Sequence, residues 1–380
     1  MQHDPRTTYA KASDIKGRTS LEYRLDMKRK AIAELEAMTW IEDILKEQYH
    51  GKEVRVEKSG GDRFLWFLRR GGVSREPDYI AHMGEQQKKI EFQYAEKESL
   101  DFYDFKITKV VSGKKRTPRS DVLFLYIDKP RCKYALLNAE WIHQNAKIDE
   151  VPAWRTQAYR VPADKFQKLL VEDEKLKPLI ESIDAKNALL RFQGELYQRM
   201  RDNLQAKIEE TVVSKTTFSI VPETLEGFFE ACFILSVIEK CPQQINSWLE
   251  QGLRHGFSSL AQAFMAAFSL DFLYFCLSST EGVEPSRIAH RLKQLSSFVD
   301  AHFNNDGSYS SRDGNLPCEE TRYALFVVNI VEDIIQDMLH YYAEALPEGE
   351  RPEPIRRIFQ SLRDPLRTAQ YVRQSCIPEA

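Results

Sequence analysis

The sequence predicts an α+β protein with a mixed β-sheet domain at its N-terminal end and an all-helical domain at its C-terminal end. The chain has 380 residues, more than the roughly 250–300 over which one hydrophobic core grows. Strand-like runs dominate up to about residue 165, and almost every later segment has helical periodicity. We therefore expect a first domain over residues 1–175 and a helical domain over residues 176–380.

The first element is an amphipathic helix from Ser20 to Tyr49, with Gly51 as a stop signal. Apolar side chains recur in it every three or four residues, at Ile32, Leu35, Met38, Ile41 and Leu45. One face of such a helix is apolar along its whole length. This helix is expected to pack on the sheet that follows.

Several strand-like runs come next. "PDYIAHM" and "KKIEFQYA" predict a hairpin across Gly84, and "DFYDFKITKVV" predicts a further strand. The uninterrupted apolar run from Val122 to Ile127 is typical of a strand covered on both faces. "QAYRVPADKF" predicts a strand that runs into a helix, with Pro162 and Asp164 near the helix start.

The second half predicts long helices that pack on one another. Their expected ranges are Ala185–Glu210, Pro222–Lys240, Gln243–Cys276, Pro285–Phe303 and Glu319–Ala345. The most apolar stretch, Phe257 to Ser279, approaches the roughly 20 residues that a membrane span needs. Asp271 lies in its middle, so a buried core helix is favoured over a membrane span and no membrane partner is expected.

Net charge, the N-terminal segment and the cysteine and histidine patterns exclude several classes of function. The formal net charge is −3, so a nucleic-acid surface would have to be a local patch. The N-terminal segment has no apolar run, which predicts that there is no secretory signal. Six cysteines without CxxC pairs, and histidines without an HExxH arrangement, predict reduced thiols, a cytoplasmic location and no zinc site.

The predicted hairpin carries the clearest chemistry. Glu91 and Gln93 are two residues apart in a strand and therefore share a face. Asp78 begins the adjoining strand and is expected to reach the same pocket. Two carboxylates that converge in this way suit Mg²⁺, which binds one or two carboxylates and keeps several waters.

This arrangement resembles the PD-(D/E)XK nuclease superfamily over about residues 25 to 170. Pro77 and Asp78 supply the first element of that pattern, and Glu91-Phe92-Gln93 supplies the second, with Gln93 in the lysine position. The resemblance implies a restriction endonuclease-like core with αβββαβ order. It also implies Mg²⁺-dependent hydrolysis of DNA phosphodiester bonds, in restriction, defence or recombination.

The resemblance implies roles for individual residues. Asp78 and Glu91 would bind the metal, with Glu42 as the additional acid from the first helix and Glu36 as second choice. Gln93 would position the attacking water, although an amide brings no positive charge. The missing charge would come from a neighbouring lysine, with Lys89, Lys106 and Lys109 as alternatives.

A basic cluster follows the hairpin. Between Asp101 and Ser120 six cations stand against two aspartates: Lys106, Lys109, Lys114, Lys115, Arg116 and Arg119. They are expected to contact phosphates of DNA, with a solvated charged loop as the alternative. Cutting both strands at one position would favour a homodimer, because its symmetry matches that of the duplex.

Three other interpretations remain open. Glu91 could be a solvated residue of an ordinary hairpin. The first domain could be a non-catalytic module that binds nucleic acid or protein and keeps the nuclease fold. The protein could also act through its helical half alone, as a scaffold that binds a partner.

Overall fold

The computed structural model describes residues 20–49, 53–59, 77–98, 100–151, 156–210, 221–237, 241–242, 244–277, 284–311, 316–342, 346, 348–353 and 355–377. The protein is α+β, with a mixed sheet and helices in its N-terminal part and a helical C-terminal region. The described residues form two compact units. The sheet unit comprises those between 30 and 183, and the helical unit comprises residues 20–29 and those from 184 onward. The expected ranges 1–175 and 176–380 differ from these units in two places, because residues 20–29 belong to the helical unit and residues 176–183 to the sheet unit.

The sheet unit begins with helix α1 (Ser20–Gln48), of which the part from Lys30 belongs to this unit. Its main sheet has five strands: β1 (Val54–Lys58), β2 (Tyr79–Met83), β3 (Gln86–Ala95), β7 (Val122–Asp128) and β8 (Lys133–Asn138). They lie in this same order across the sheet. Neighbouring strands are antiparallel, except that β3 and β7 are parallel.

Two sequence predictions about this sheet are confirmed. The turn between β2 and β3 contains Gly84 at φ 63°, a left-handed conformation that glycine adopts without the clash of a Cβ. All seven residues of β7 are buried, as expected of a strand covered on both faces, and the strand lies between β3 and β8 in the sheet. Alternating burial along β3 places Ile90 and Phe92 in the core and turns Glu91 and Gln93 to the opposite face.

The connection from β3 to β7 differs from the prediction. "DFYDFKITKVV" is not one strand: β4 (Phe102–Lys106) is followed by a one-turn helix, α2 (Ile107–Val110), and then by β5 (Val111–Ser112). Strand β6 (Thr117–Pro118) pairs with β5 and closes a small hairpin. Ile, Thr and Val favour strands, but the helical turn buries Val110, and tertiary packing overrides such local preferences.

A second, three-stranded sheet completes this unit. It has the order β4, β10 (Thr156–Pro162), β9 (Lys147–Val151). Helix α3 (Ala139–Asn145) precedes β9, and α4 (Ala163–Phe166) follows β10 directly, as the sequence predicted. The ring of Phe166 stacks on Tyr103 with centroids 3.9 Å apart, which joins α4 to β4 in an aromatic core.

The helical unit contains six further long or medium helices in the described ranges. They are α5 (Leu176–Glu210, from Asp184 in this unit), α6 (Leu225–Val237), α7 (Ile245–Arg254), α8 (Leu260–Cys276), α9 (Pro285–Ala301) and α10 (Pro317–Tyr342). The short helix α11 (Pro365–Tyr371) follows a capping residue, Asp364, whose side chain accepts the amide of Arg367. Phenylalanine rings form the centre of the unit. The ring centroid of Phe264 lies 4.8 Å from that of Phe326 and 5.5 Å from that of Phe229.

The single helix predicted from Gln243 to Cys276 is wrong. Helix α7 ends at Arg254, and α8 begins at Leu260 after a capping residue, Ser259, whose side chain accepts the amide of Gln262. A serine that caps a helix satisfies a backbone donor that has no partner within the helix. In the described residues, no helix is both long and apolar enough to cross a membrane.

The prediction of six reduced cysteines is wrong for four of them. Cys241 and Cys276 form one disulfide, and Cys318 and Cys376 form another, with Cα atoms 5.6 and 5.5 Å apart. Helix packing brings together cysteines that are 35 and 58 residues apart in sequence, which a search for closely spaced pairs misses. The predicted cytoplasmic location rested on free thiols and loses that support.

Candidate functional site

The hairpin of β2 and β3 brings Asp78 and Glu91 together. Tyr79 pairs with Ile90, and the antiparallel register, extended by one residue, sets Asp78 opposite Glu91. Oδ2 of Asp78 accepts a 2.8 Å hydrogen bond from the backbone amide of Phe92. Directly opposed residues of antiparallel strands have neighbouring side chains. The two carboxylates therefore flank one position on the sheet.

Two lysines keep Asp78 ionised. Nζ of Lys30 lies 3.3 Å from Oδ1 of Asp78, and Nζ of Lys58 donates a 3.0 Å hydrogen bond to its carbonyl oxygen. Burial alone would raise the pKa of Asp78. The charges of Lys30 and Lys58, with the Phe92 amide, outweigh burial, so the pKa lies below its ordinary value.

Glu91 is paired with Lys109 of the one-turn helix α2. Nζ of Lys109 lies 2.7 Å from Oε1 of Glu91, and the two side chains are only 17% and 14% exposed. Burial raises the pKa of Glu91 above its usual range, and the charge of Asp78 adds to this. The hydrogen bond from Lys109 and the charge of Lys106 act in the opposite direction. Of the three lysines named as alternatives, Lys109 is thus the one in contact with Glu91, while Lys89 pairs with Asp121.

Gln93 is anchored through one end of its amide. Its Nε2 donates a 3.2 Å hydrogen bond to the backbone carbonyl of Asp104 in β4. The amide oxygen is the other end of the same planar group and accepts hydrogen bonds. Asp104 is itself held by Arg160, with Nε 2.8 Å from Oδ1. The second sheet therefore fixes the orientation of Gln93.

Helix α1 contributes an acid, but it is neither Glu42 nor Glu36. Oε1 of Glu42 accepts a 2.9 Å hydrogen bond from the backbone amide of Val56, which connects the helix to β1. Glu36 accepts the hydroxyl of Ser182 at 2.7 Å. The helix acid beside Asp78 is Glu34, and each of Glu42 and Glu36 is committed to a structural contact.

Glu34 is deeply buried between the lysines that serve Asp78. Its Oε2 lies 2.8 Å from Nζ of Lys58, and its Oε1 lies 3.2 Å from Nζ of Lys30. Burial raises the pKa of Glu34, and Asp78 raises it further against the opposing charge of Lys58. Apart from the ion pair with Lys30, Oε1 accepts no hydrogen bond of good geometry within the described part of the chain. This oxygen is a buried acceptor whose lone pairs are incompletely used.

Glu34 was missed because α1 is buried around its whole circumference over two turns, and not along one face only. Every residue from Ala31 to Ala37 is buried, including Glu34 and Glu36. Ranking acids by their distance from the first strand ignores the rotation of the helix. A four-residue step links Lys30 to Glu34 on one face, and this pairing is visible in the sequence.

The predicted basic cluster divides into two groups. Lys114, Lys115 and Arg116 are exposed in the turn between β5 and β6. Lys106 is exposed at the end of β4. The other two have internal partners: Lys109 contacts Glu91, and Arg119 lies 3.5 Å from Asp121 and donates to the carbonyl of Thr108. Four of the six thus present their charge to solvent.

The donor chemistry of the site suits a hard cation such as Mg²⁺. Asp78, Glu91 and Glu34 offer carboxylate oxygens, one of them buried without a hydrogen bond, and Mg²⁺ uses one or two carboxylates with waters. Lysine ammonium groups contact all three carboxylates. As the side chains stand, the described residues contain no group of three or more His, Cys, Asp or Glu that could hold a metal ion together.

Comparison with known proteins found no matching family model, no matching curated protein and no matching solved structure.

Proposed function

We propose that the sheet unit is a metal-dependent nuclease that hydrolyses phosphodiester bonds of DNA, and that it is a divergent member of the PD-(D/E)XK superfamily. The observation that carries this proposal is the register that opposes Asp78 to Glu91, with Gln93 on the same face of β3. The element order supports it. If β4, β5 and β6 are counted as additions, helix α1, the antiparallel strands β1 to β3, the helical turn α2 and strand β7, parallel to β3, match the αβββαβ order that the resemblance implies.

Asp78 and Glu91 would hold Mg²⁺, with Glu34 in place of Glu42 as the acid from the helix. A metal bound there would lower the pKa of a water molecule and neutralise charge on a phosphate. Glu34 Oε1, which is buried and contacts Lys30 without a hydrogen bond of good geometry, would be the oxygen that accepts a further donor or ligand. Asp78 is ionised at neutral pH, as a metal ligand must be.

Gln93 and Lys109 divide the work that one lysine does in the family pattern. The amide of Gln93 is oriented by Asp104, so its oxygen can accept a hydrogen bond from an attacking water. Lys109 brings a positive charge to the same face by contacting Glu91. That charge would stabilise the negative charge that builds up on the phosphate during hydrolysis. The exposed cations Lys106, Lys114, Lys115 and Arg116 would contact neighbouring phosphates.

Cleavage of supercoiled plasmid and of labelled DNA and RNA oligonucleotides, with Mg²⁺ or Mn²⁺, tests the proposal. We expect D78N and E91Q to lose at least about a hundredfold in rate, since losing even residues that support metal ligands costs about 10–100-fold. E34Q should weaken metal binding, whereas the matched variant E42Q should change stability only. Absence of cleavage of every substrate, together with absence of metal-dependent stabilisation, would refute the nuclease.

A non-catalytic module that binds nucleic acid is the second candidate. The observation in its favour is that lysines neutralise all three carboxylates, so the site as it stands presents little net negative charge to a metal. This candidate predicts that DNA binding depends on Lys114, Lys115 and Arg116 but is indifferent to D78N and to Mg²⁺. Metal-dependent cleavage that D78N abolishes would exclude it.

The proposal also concerns the oligomeric state of the protein and the role of its helical unit. A nuclease that cuts both strands at one position would act as a homodimer. Sedimentation of the full chain with and without duplex DNA measures this directly. If the helical unit alone retained binding to a partner, its role would be that of a separate scaffold.

A further inference from the structure

Lys30 lies between two carboxylates of the candidate site. Its ammonium nitrogen is 3.2 Å from Oε1 of Glu34 and 3.3 Å from Oδ1 of Asp78. Those acids are only 6% and 13% exposed, whereas the Lys30 side chain is 40% exposed. One flexible, solvent-accessible cation thus bridges two fixed, buried acids.

We propose that Lys30 is an internal counter-ion that a divalent cation displaces, so that this lysine sets the metal affinity of the site. This inference rests on the proposed function, because it concerns the same carboxylates. A lysine carries a compact charge on a four-carbon stem and can leave by rotation of that stem. The acids cannot follow it: Asp78 is bonded to the Phe92 amide, and Glu34 to Lys58.

The other two lysines are placed differently. Lys58 is 18% exposed, contacts Glu34 and donates to the Asp78 carbonyl, so it holds the backbone of the site as well as its charge. Lys109 is 17% exposed and contacts Glu91. Of these three lysines, Lys30 has the most exposed side chain and is the one whose ammonium group forms ion pairs with both Glu34 and Asp78.

The experiment measures metal binding without turnover. Full-length K30M is titrated with Mn²⁺ and with Mg²⁺ by calorimetry at pH 8, and its thermal midpoint is followed as the metal concentration rises. Removing one positive charge from contact with two ligands should lower the Kd by about tenfold. The rise in thermal midpoint at a given metal concentration should increase accordingly.

Two controls isolate the charge of Lys30. Lys89 is 39% exposed and pairs with Asp121 at 3.1 Å, so K89M removes a cation of similar exposure whose partner is not a candidate ligand, and it should change the Kd much less than K30M does. K30R keeps the charge and should bind metal no more tightly than the wild type. If K30M folds poorly without metal, K30Q retains a polar side chain and is expected to show the same gain.

The outcomes separate the inference from the proposed function. Wild-type cleavage combined with an unchanged or higher Kd in K30M and K30Q would overturn the counter-ion role and leave the nuclease standing. A tighter Kd that persists when D78N is added to K30M would overturn it too, because the metal would then bind elsewhere. No metal binding by any variant, together with no cleavage, would overturn both.

Discussion

Each acid of the candidate site is matched by a lysine: Glu34 by Lys58, Asp78 by Lys30 and Glu91 by Lys109. Burying a carboxylate costs free energy unless it is paired with a cation, so each lysine offsets part of the desolvation cost of its acid. The net gain from such a pair is small, but the loss on breaking it is not, because one buried charge remains. The site therefore responds more strongly to removal of one partner than to removal of both.

The pair of Glu91 and Lys109 makes this measurable. We expect K109M to lower the free energy of unfolding by about 1–3 kcal/mol, since Glu91 stays largely buried without its hydrogen-bond donor. The double variant E91Q/K109M should recover part of the loss. Urea denaturation of the wild type, both single variants and the double variant gives the coupling energy. Strict additivity of the two changes would show that the contact contributes nothing.

At the scale of elements, a buried carboxylate fastens the C-terminal segment to helix α10. Glu332 accepts the backbone amides of Phe359 at 2.7 Å and Ser361 at 2.9 Å. Phe359 is fully buried and has φ 57°, a left-handed conformation that costs energy for a residue with a Cβ. Two amide bonds and a buried ring together hold this strained turn in place.

The stability of this attachment should depend on pH. Burial raises the pKa of Glu332 to about 7, although the two amides and Lys28 oppose the shift. The folded protein then binds this proton more tightly than the unfolded chain, whose glutamate has its ordinary, lower pKa. The free energy of unfolding should therefore fall as pH rises from about 4.5 to about 7, by up to about 3 kcal/mol, and level off above that.

Urea denaturation of the wild type and of E332Q at pH 5 and pH 8 checks this sign. The variant cannot ionise at this position, so its loss of stability between the two pH values should be smaller than that of the wild type. An equal loss in both proteins would assign the pH dependence to other groups.

Elements whose signal is local could be predicted from the sequence. The hairpin across Gly84 and the doubly covered strand β7 are of this kind, since a turn residue and an apolar run determine them. The helical turn at Ile107–Val110 and the break before Leu260 depend on packing and capping, which strand propensity and hydrophobicity do not report. The same limit applies to Glu34, whose place beside Asp78 follows from the rotation of α1 rather than from spacing along the chain.

At the scale of the whole molecule, both disulfides described lie in the helical unit. Cys241, which precedes α7, is linked to Cys276 at the end of α8. Cys318 and Cys376 connect the start of α10 with the segment after α11. Cross-links of this span stabilise a fold mainly by restricting the unfolded chain.

Reduction should therefore affect one unit more than the other. We expect dithiothreitol, or the double variant C318S/C376S, to destabilise the helical unit by about 2–4 kcal/mol per disulfide lost. The transition of the sheet unit should keep its midpoint. Differential scanning calorimetry with and without reductant resolves the two, and a thiol titration counts the free cysteines. Six reactive thiols in the unfolded, unreduced protein would contradict the disulfides.

The parallel pairing of β3 with β7 has a consequence for how the chain folds. The strands of a hairpin can pair progressively from their turn. Strands β3 and β7 pair only after the connecting segment from Glu96 to Asp121 has brought β7 back alongside β3. Until then β3 has an open edge that can pair with another chain. Because Lys109 lies within that segment, the contact with Glu91 forms together with this closure. A nascent chain that stops short of β7 therefore has neither a closed sheet nor a complete site, and slow closure would make the protein prone to aggregation during synthesis.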